Sequence, residues 1–160
     1  MADWIEPGAK APDFSLRAHD GTKVKLSTLR GSFIVLYFYP KDDTPGCTRE
    51  ACGFRDARAA LAKAGAVVLG VSPDLPASHE KFRTKYRLPF TLLSDPDHIV
   101  AEKYGAWREK TLYGKKSLGI VRSTYVIDAA GKVVRVFKAV RPDGHAEAVL
   151  AALAAVDTRA

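Results

Sequence analysis

The chain has 160 residues, 47% of them hydrophobic, and a formal net charge of +7. Such a length and composition fit one globular domain, 1–160, whose core needs no disulfide staple, so its two cysteines read as chemical rather than structural. No apolar run approaches ~18 residues, which excludes a transmembrane helix, and the scatter of Lys and Arg, whose longest run is Lys115-Lys116, argues against a nucleic-acid partner. The segment Met1 to Glu6 carries acids and no apolar h-region, so the expected setting is the reducing cytoplasm.

Short strands are predicted over 12–16 and 23–26, with Asp20-Gly21 as the turn between them. Phe33 to Tyr39 is a continuous β-branched and aromatic run, the pattern of a central strand buried on both faces. Pro40 stops it, and Asp42 to Gly46 is turn chemistry. A helix is predicted from about Cys47 to Ala64, with Gly65 just past its end. A second buried strand covers Ala66 to Val71, a helix Ser78 to Tyr86, and a strand Phe90 to Leu93. Asp97 to Tyr104 reads as a helix closed by Gly105, Thr124 to Ile127 and Lys132 to Lys138 as a hairpin, and Gly144 opens a last alanine-rich helix. The order calls for an α/β protein with a central mixed β-sheet flanked by helices. A thioredoxin-like fold with an N-terminal β-hairpin fits it.

The cysteines, Cys47 and Cys52, lie where the central strand gives way to a helix. In the first helical turn, unpaired N–H groups and the positive dipole end favour a thiolate over a thiol. An ordinary thiol is already a few per cent ionised at neutral pH, so ionisation alone gains at most ~30-fold in nucleophilic rate. Faster attack by such a thiolate needs further donors for the charge that develops on the group it displaces. Thr44 supplies a hydroxyl, Pro45 holds the turn, and Pro40 shields the pocket from water. Thr48 and Glu50 can cap the helix, or Glu50 can orient a cationic partner. Taken singly, Thr44 also fits a plain N-cap and Pro45 a plain N1 residue.

Helix geometry separates the thiols. Ala51, Phe54 and Leu61 fall within roughly 40° of Cys47, whereas Cys52 points roughly 140° away. On an intact helix their Cα atoms lie ~9 Å apart, beyond the ~7 Å reach of a disulfide, so a bridge requires local unwinding. Gly53 lowers helix stability by ~1 kcal/mol relative to alanine and eases that opening. The plainer alternative makes Cys52 a small helix filler and Gly53 a close-packing site.

These residues resemble the peroxiredoxins, and most closely their bacterioferritin comigratory protein, or Q-type, branch. The run Phe38 to Thr48 matches that branch's active-site segment, and Glu50-Ala51-Cys52 with Phe54-Arg55-Asp56 continues it. Ala11-Pro12-Asp13-Phe14, Gly70-Val71-Ser72 and Arg122 to Asp128 also look like the family. The resemblance implies a peroxidatic Cys47 with Pro40 and Thr44 in its pocket and Arg122 fixing thiolate and peroxide. It further implies a resolving Cys52 that closes an intrachain disulfide, peroxide substrates, no cofactor, and recycling by thioredoxin. An intrachain bond permits a monomer. The C-terminal half has no cysteine for an intersubunit disulfide, and the Gly-Gly-Leu-Gly and Tyr-Phe motifs of easily overoxidised relatives do not occur; Tyr113-Gly114-Lys115-Lys116 is only loosely similar.

Other chemistries fit less well. A thioredoxin-type oxidoreductase wants Cys-x-x-Cys, but here four residues separate the thiols. His19, His79, His98 and His145 are dispersed without ligand spacing and read as surface or capping residues rather than a metal site.

Overall fold

The computed structural model describes residues 3–157. Its centre is β3 (Phe33–Phe38), in a seven-stranded mixed sheet. β3 pairs in parallel with β4 (Ala66–Ser72), which pairs in parallel with β5 (Thr91–Ser94). On its other side β3 pairs antiparallel with β8 (Ser123–Ile127), followed by β9 (Val133–Phe137). The N-terminal hairpin, β1 (Ser15–Ala18) and β2 (Lys23–Lys25), extends the β5 edge, giving the order β2-β1-β5-β4-β3-β8-β9. The central mixed sheet and the hairpin are as expected, with the first strand shifted toward the turn.

The alternation along β3 divides the core into two layers. Ile34, Leu36 and Phe38 join Tyr104 and Val100 on one face, where α4 (Ile99–Tyr104) packs. Val35, Tyr37 and Tyr39 join Cys47, Phe54, Phe82 and Val149 on the other. That second layer is covered by α1 (Pro45–Asp56), α2 (Arg58–Lys63), α3 (Pro76–Tyr86) and α5 (His145–Asp157). A strand buried on both faces has no use for polar alternation, which is why Phe33 to Tyr39 has none.

α4 begins at Ile99 rather than Asp97, and three further departures from expectation bear on the site. The helix expected over 47–64 begins two residues earlier, with Pro45 at N1, and is interrupted at Ala57. No glycine or proline marks the interruption, so a periodic pattern runs straight through it. α3 likewise begins at Pro76, a proline pre-set for a first helical turn. The third difference is a two-stranded hairpin, β6 (Trp107–Leu112) and β7 (Lys115–Ile120), where no strand was expected. Its turn residues Tyr113 and Gly114 both have positive φ, 53° and 76°, the conformation of a tight two-residue hairpin. Charges at Arg108, Glu109, Lys110, Lys115 and Lys116 hide it from any search for apolar alternation.

Candidate active site

Cys47 is the third residue of α1, and its side chain enters the core at the C-terminal end of β3 with 2% exposure. The first backbone bond of this helix runs from Thr48 N–H to Thr44 O at 2.8 Å. The N–H groups of Gly46 and Cys47 therefore belong to the unpaired set that faces an anion at a helix start. Pro40 is half-buried between β3 and this segment. Thr44 occupies the N-cap position with extended backbone, but its hydroxyl donates to Lys41 O at 2.9 Å and makes no capping bond.

Arg122 directly precedes β8, whose register sets Ser123 opposite Phe38 and so brings Arg122 to the end of β3. Its Nη2 donates to Cys47 Sγ at 3.2 Å and its Nη1 to Glu50 Oε1 at 2.7 Å. One planar guanidinium thus spans thiol and carboxylate, a task suited to a rigid fork of donors. Gly46 makes room for it: a Cβ there would stand 3.2 Å from Arg122 Nη2 and 3.4 Å from Pro142 Cγ.

Glu50 orients the cation rather than capping the helix. Its side chain is wholly buried, and Oε2 has no hydrogen-bond partner among the described residues. Burial pushes its carboxyl up to about 7, against the pull of Arg122. As pH falls through about 7, Glu50 takes up a proton and leaves the Arg122 charge to the sulfur.

This has a measurable consequence. A carboxyl raised from 4.5 to about 7 stabilises the fold fully below the lower value, and that contribution is lost as pH rises through the upper one. At ~1.4 kcal/mol per unit, the loss is about 3 kcal/mol. In a Cys47→Ser background, Glu50→Gln should flatten that part of the fall in unfolding free energy between pH 4.5 and 8, measured by urea denaturation. An unchanged slope would place the titration elsewhere.

Two neighbours of the site carried no signal in the sequence. Lys110 reaches it from the unexpected hairpin; its ammonium donates to Ile120 O, and burial together with Arg122 holds its pKa down while Cys47 pulls it up. His145 opens α5 with Nε2 2.7 Å from Thr124 Oγ1, and burial, then Arg122, lowers it to about 4. It is neutral at physiological pH, which leaves Arg122 as the cation touching Cys47 and Glu50. His145 and His79 are both buried, contrary to the surface or capping role expected of them, because each has hydrogen-bond partners in the interior.

Cys52 lies further along the same helix, partly exposed, and both thiols are free. Cys47, Ala51, Phe54 and, beyond the break, Leu61 are the buried apolar positions, as the 100° periodicity requires. Gly53 is helical without positive φ, and a Cβ there would meet only Ala146 Cβ, at 3.8 Å.

The AhpC/TSA family model matches residues 7–136. A putative peroxiredoxin bcp of Coxiella burnetii is 52% identical over 93% of this chain and 99% of its own length. Peroxiredoxin Bcp of Bacillus subtilis is 48% identical over 93% and 95%. Among solved structures, the Xanthomonas campestris bacterioferritin comigratory protein, studied for alkyl peroxide reduction, superposes with a TM-score of 0.86 at 41% identity, covering 97% of this chain and 98% of its own. A cysteine-to-serine variant of Xylella fastidiosa PrxQ gives a TM-score of 0.91 at 34% identity, covering 98% and 99%.

Proposed function

The chain belongs to the AhpC/TSA family and is a peroxiredoxin, and on that footing we propose that it reduces hydrogen peroxide and organic hydroperoxides at Cys47. The observation that carries this reading is the Arg122 guanidinium bound at once to the Cys47 sulfur and the Glu50 carboxyl. The thiolate attacks the terminal oxygen of the hydroperoxide; an S–O bond forms, the O–O bond breaks, and the leaving alkoxide takes a proton to become the alcohol. Sulfur is oxidised to sulfenic acid. Arg122 and the N–H groups at the start of α1 are the donors for the oxygen that gains charge, and Thr44 Oγ, whose own hydrogen goes to Lys41 O, accepts from the hydroperoxide O–H. Pro40 limits water at the sulfur.

Cys52 then attacks the sulfenic sulfur, water leaves, and an intrachain disulfide forms. A dithiol reductant of the thioredoxin type reduces that bond and returns both thiols. Resolution within one chain needs no second copy, so the working unit is a monomer, and no cofactor enters the cycle. No helix among the described residues is long and apolar enough to cross a membrane, and a reducing cytoplasm suits thiol recycling.

An assay that couples NADPH oxidation through thioredoxin reductase and thioredoxin tests the cycle. Sustained turnover with hydrogen peroxide and with an alkyl hydroperoxide is the expected result. Turnover with dithiothreitol but none with thioredoxin would remove the recycling step from the proposal.

A further inference from the structure

The segment 40–44, which carries Thr44 and sets where α1 begins, is fastened to α3 and β5 by a buried polar cluster. Asp42 is 7% exposed. Its Oδ1 accepts from Tyr39 Oη at 2.6 Å, and its Oδ2 from Ser78 Oγ at 2.8 Å and from His79 Nδ1 at 2.7 Å. The Asp42 N–H donates to Asp74 Oδ2 at 2.8 Å, an oxygen that also accepts from Ser72 Oγ. Burial keeps the Tyr39 phenol protonated and therefore a donor.

His79 is 0% exposed, and its Nε2 lies 2.9 Å from Leu93 O. A carbonyl oxygen only accepts, so Nε2 carries a hydrogen. Nδ1 lies 2.7 Å from Asp42 Oδ2, and one proton is shared between them. Held at both nitrogens, the ring forms with Asp42 a hydrogen-bonded pair sealed from water. Such a pair is directional and costly to break once one partner goes. It ties residue 42 of the loop to α3 and, through Leu93, to the middle of the sheet.

We propose that Asp42 and His79 are positioning residues for peroxide reduction. The pair holds the backbone of 42–44 so that Thr44 and the first turn of α1 meet the oxygen that Cys47 attacks. Its action runs through the loop backbone rather than through the sulfur, which Arg122 and the helix start already serve. A displacement of about 1 Å at such groups costs ~10²-fold in rate. The proposal rests on Cys47 being the nucleophile.

Its signature is a split between two reactions of one thiol. His79→Gln keeps a donor toward Asp42 and removes the imidazole that reaches Leu93 O; Ser78→Ala removes one hydroxyl donor and spares the Asp42–His79 pair, so it guards against a variant that folds poorly. The second-order rate constant for peroxide, per alkylatable Cys47, should fall ~10–100-fold in His79→Gln and ~3–10-fold in Ser78→Ala. Alkylation of Cys47 by iodoacetamide should stay within about two-fold of wild type in both, a ratio a merely structural role would not produce. Asp42→Asn combined with His79→Gln should be no slower than the slower single variant, because the two act as a unit. Parallel falls in alkylation and peroxide rate in Ser78→Ala, or peroxide rates within about two-fold of wild type in both Ser78→Ala and His79→Gln, would overturn the positioning role. Cys47→Ser run alongside separates the two layers. Activity surviving there overturns the nucleophile assignment itself, whereas inactivity there with full activity in the other two overturns only the role of the pair.

Discussion

Cys47→Ser is expected to abolish peroxide reduction, and Arg122→Ala to slow it by ~10³-fold. Serine has nearly the shape of cysteine but stays protonated at neutral pH and forms no sulfenic acid, so nothing replaces the attacking sulfur. Arg122 does two jobs with two nitrogens, 3.2 Å from the sulfur and 2.7 Å from Glu50. Losing one preorganised donor to a developing oxyanion costs ~10²–10³-fold, and the thiolate loses its contact cation as well. Arg122→Lys should still lose ~10²-fold: an ammonium carries the same charge but is a point donor without the fork that spans Cys47 and Glu50. Arg122→Ala also strands Glu50 in the core, so the alanine variant belongs in a Glu50→Gln background where the fold is spared an unpaired carboxylate. Stopped-flow peroxide reduction reads all of these. A lysine variant as fast as wild type would mean that charge alone is used at this position.

Oxidation to the disulfide is expected to open α1 between Cys47 and Gly53. Both thiols lie on one continuous helix, Pro45–Asp56, which holds their Cα atoms ~9 Å apart, too far for an S–S bond. The flanks are tied down. Asp43 accepts from Lys85 Nζ at 2.8 Å and Tyr86 Oη at 2.7 Å, and Arg55 Nη1 donates to Tyr86 O at 2.8 Å. The opening is thus bracketed by two anchors on α3. Gly53→Ala should resist it, because the added methyl meets only Ala146 Cβ at 3.8 Å, an ordinary contact. A gain of ~1 kcal/mol in helix stability lowers the open population about five-fold. Slower resolution leaves sulfenic acid exposed to a second peroxide and so to sulfinic acid. Gly53→Ala should inactivate at about five-fold lower peroxide than wild type, and Cys52→Ser at lower peroxide still. Hydrogen exchange should show protection lost over 47–53 in the oxidised protein and kept in β3. Unchanged protection beside a disulfide confirmed by mass would rule out the unwinding.

The parts of the site that lie close in sequence were legible there. Cys47, its helix start, the buried face through Ala51 and Phe54, and the divergent Cys52 all follow from one strand–turn–helix segment and a 100° period. Arg122 was legible only by resemblance, since one arginine among 25 basic residues has no local mark. Its approach to Cys47 depends on β8 pairing with β3, a non-local register that no short-range pattern encodes. Lys110 was missed because its hairpin is stabilised by a tight Tyr113-Gly114 turn and cross-strand pairing rather than by an apolar face. His79 was misplaced at the surface for a related reason. A buried histidine is tolerated because Asp42, 37 positions away, and the Leu93 carbonyl both hydrogen-bond its ring.

The most direct test of the cysteine roles is peptide-resolved mass spectrometry of the reduced protein after one equivalent of peroxide. A Cys47–Cys52 bond within a single chain is expected in the wild type, and a trappable sulfenic acid at Cys47 in Cys52→Ser. A sulfenic acid at Cys52 in Cys47→Ser, or a Cys47–Cys47 bond between two chains in the wild type, would contradict them.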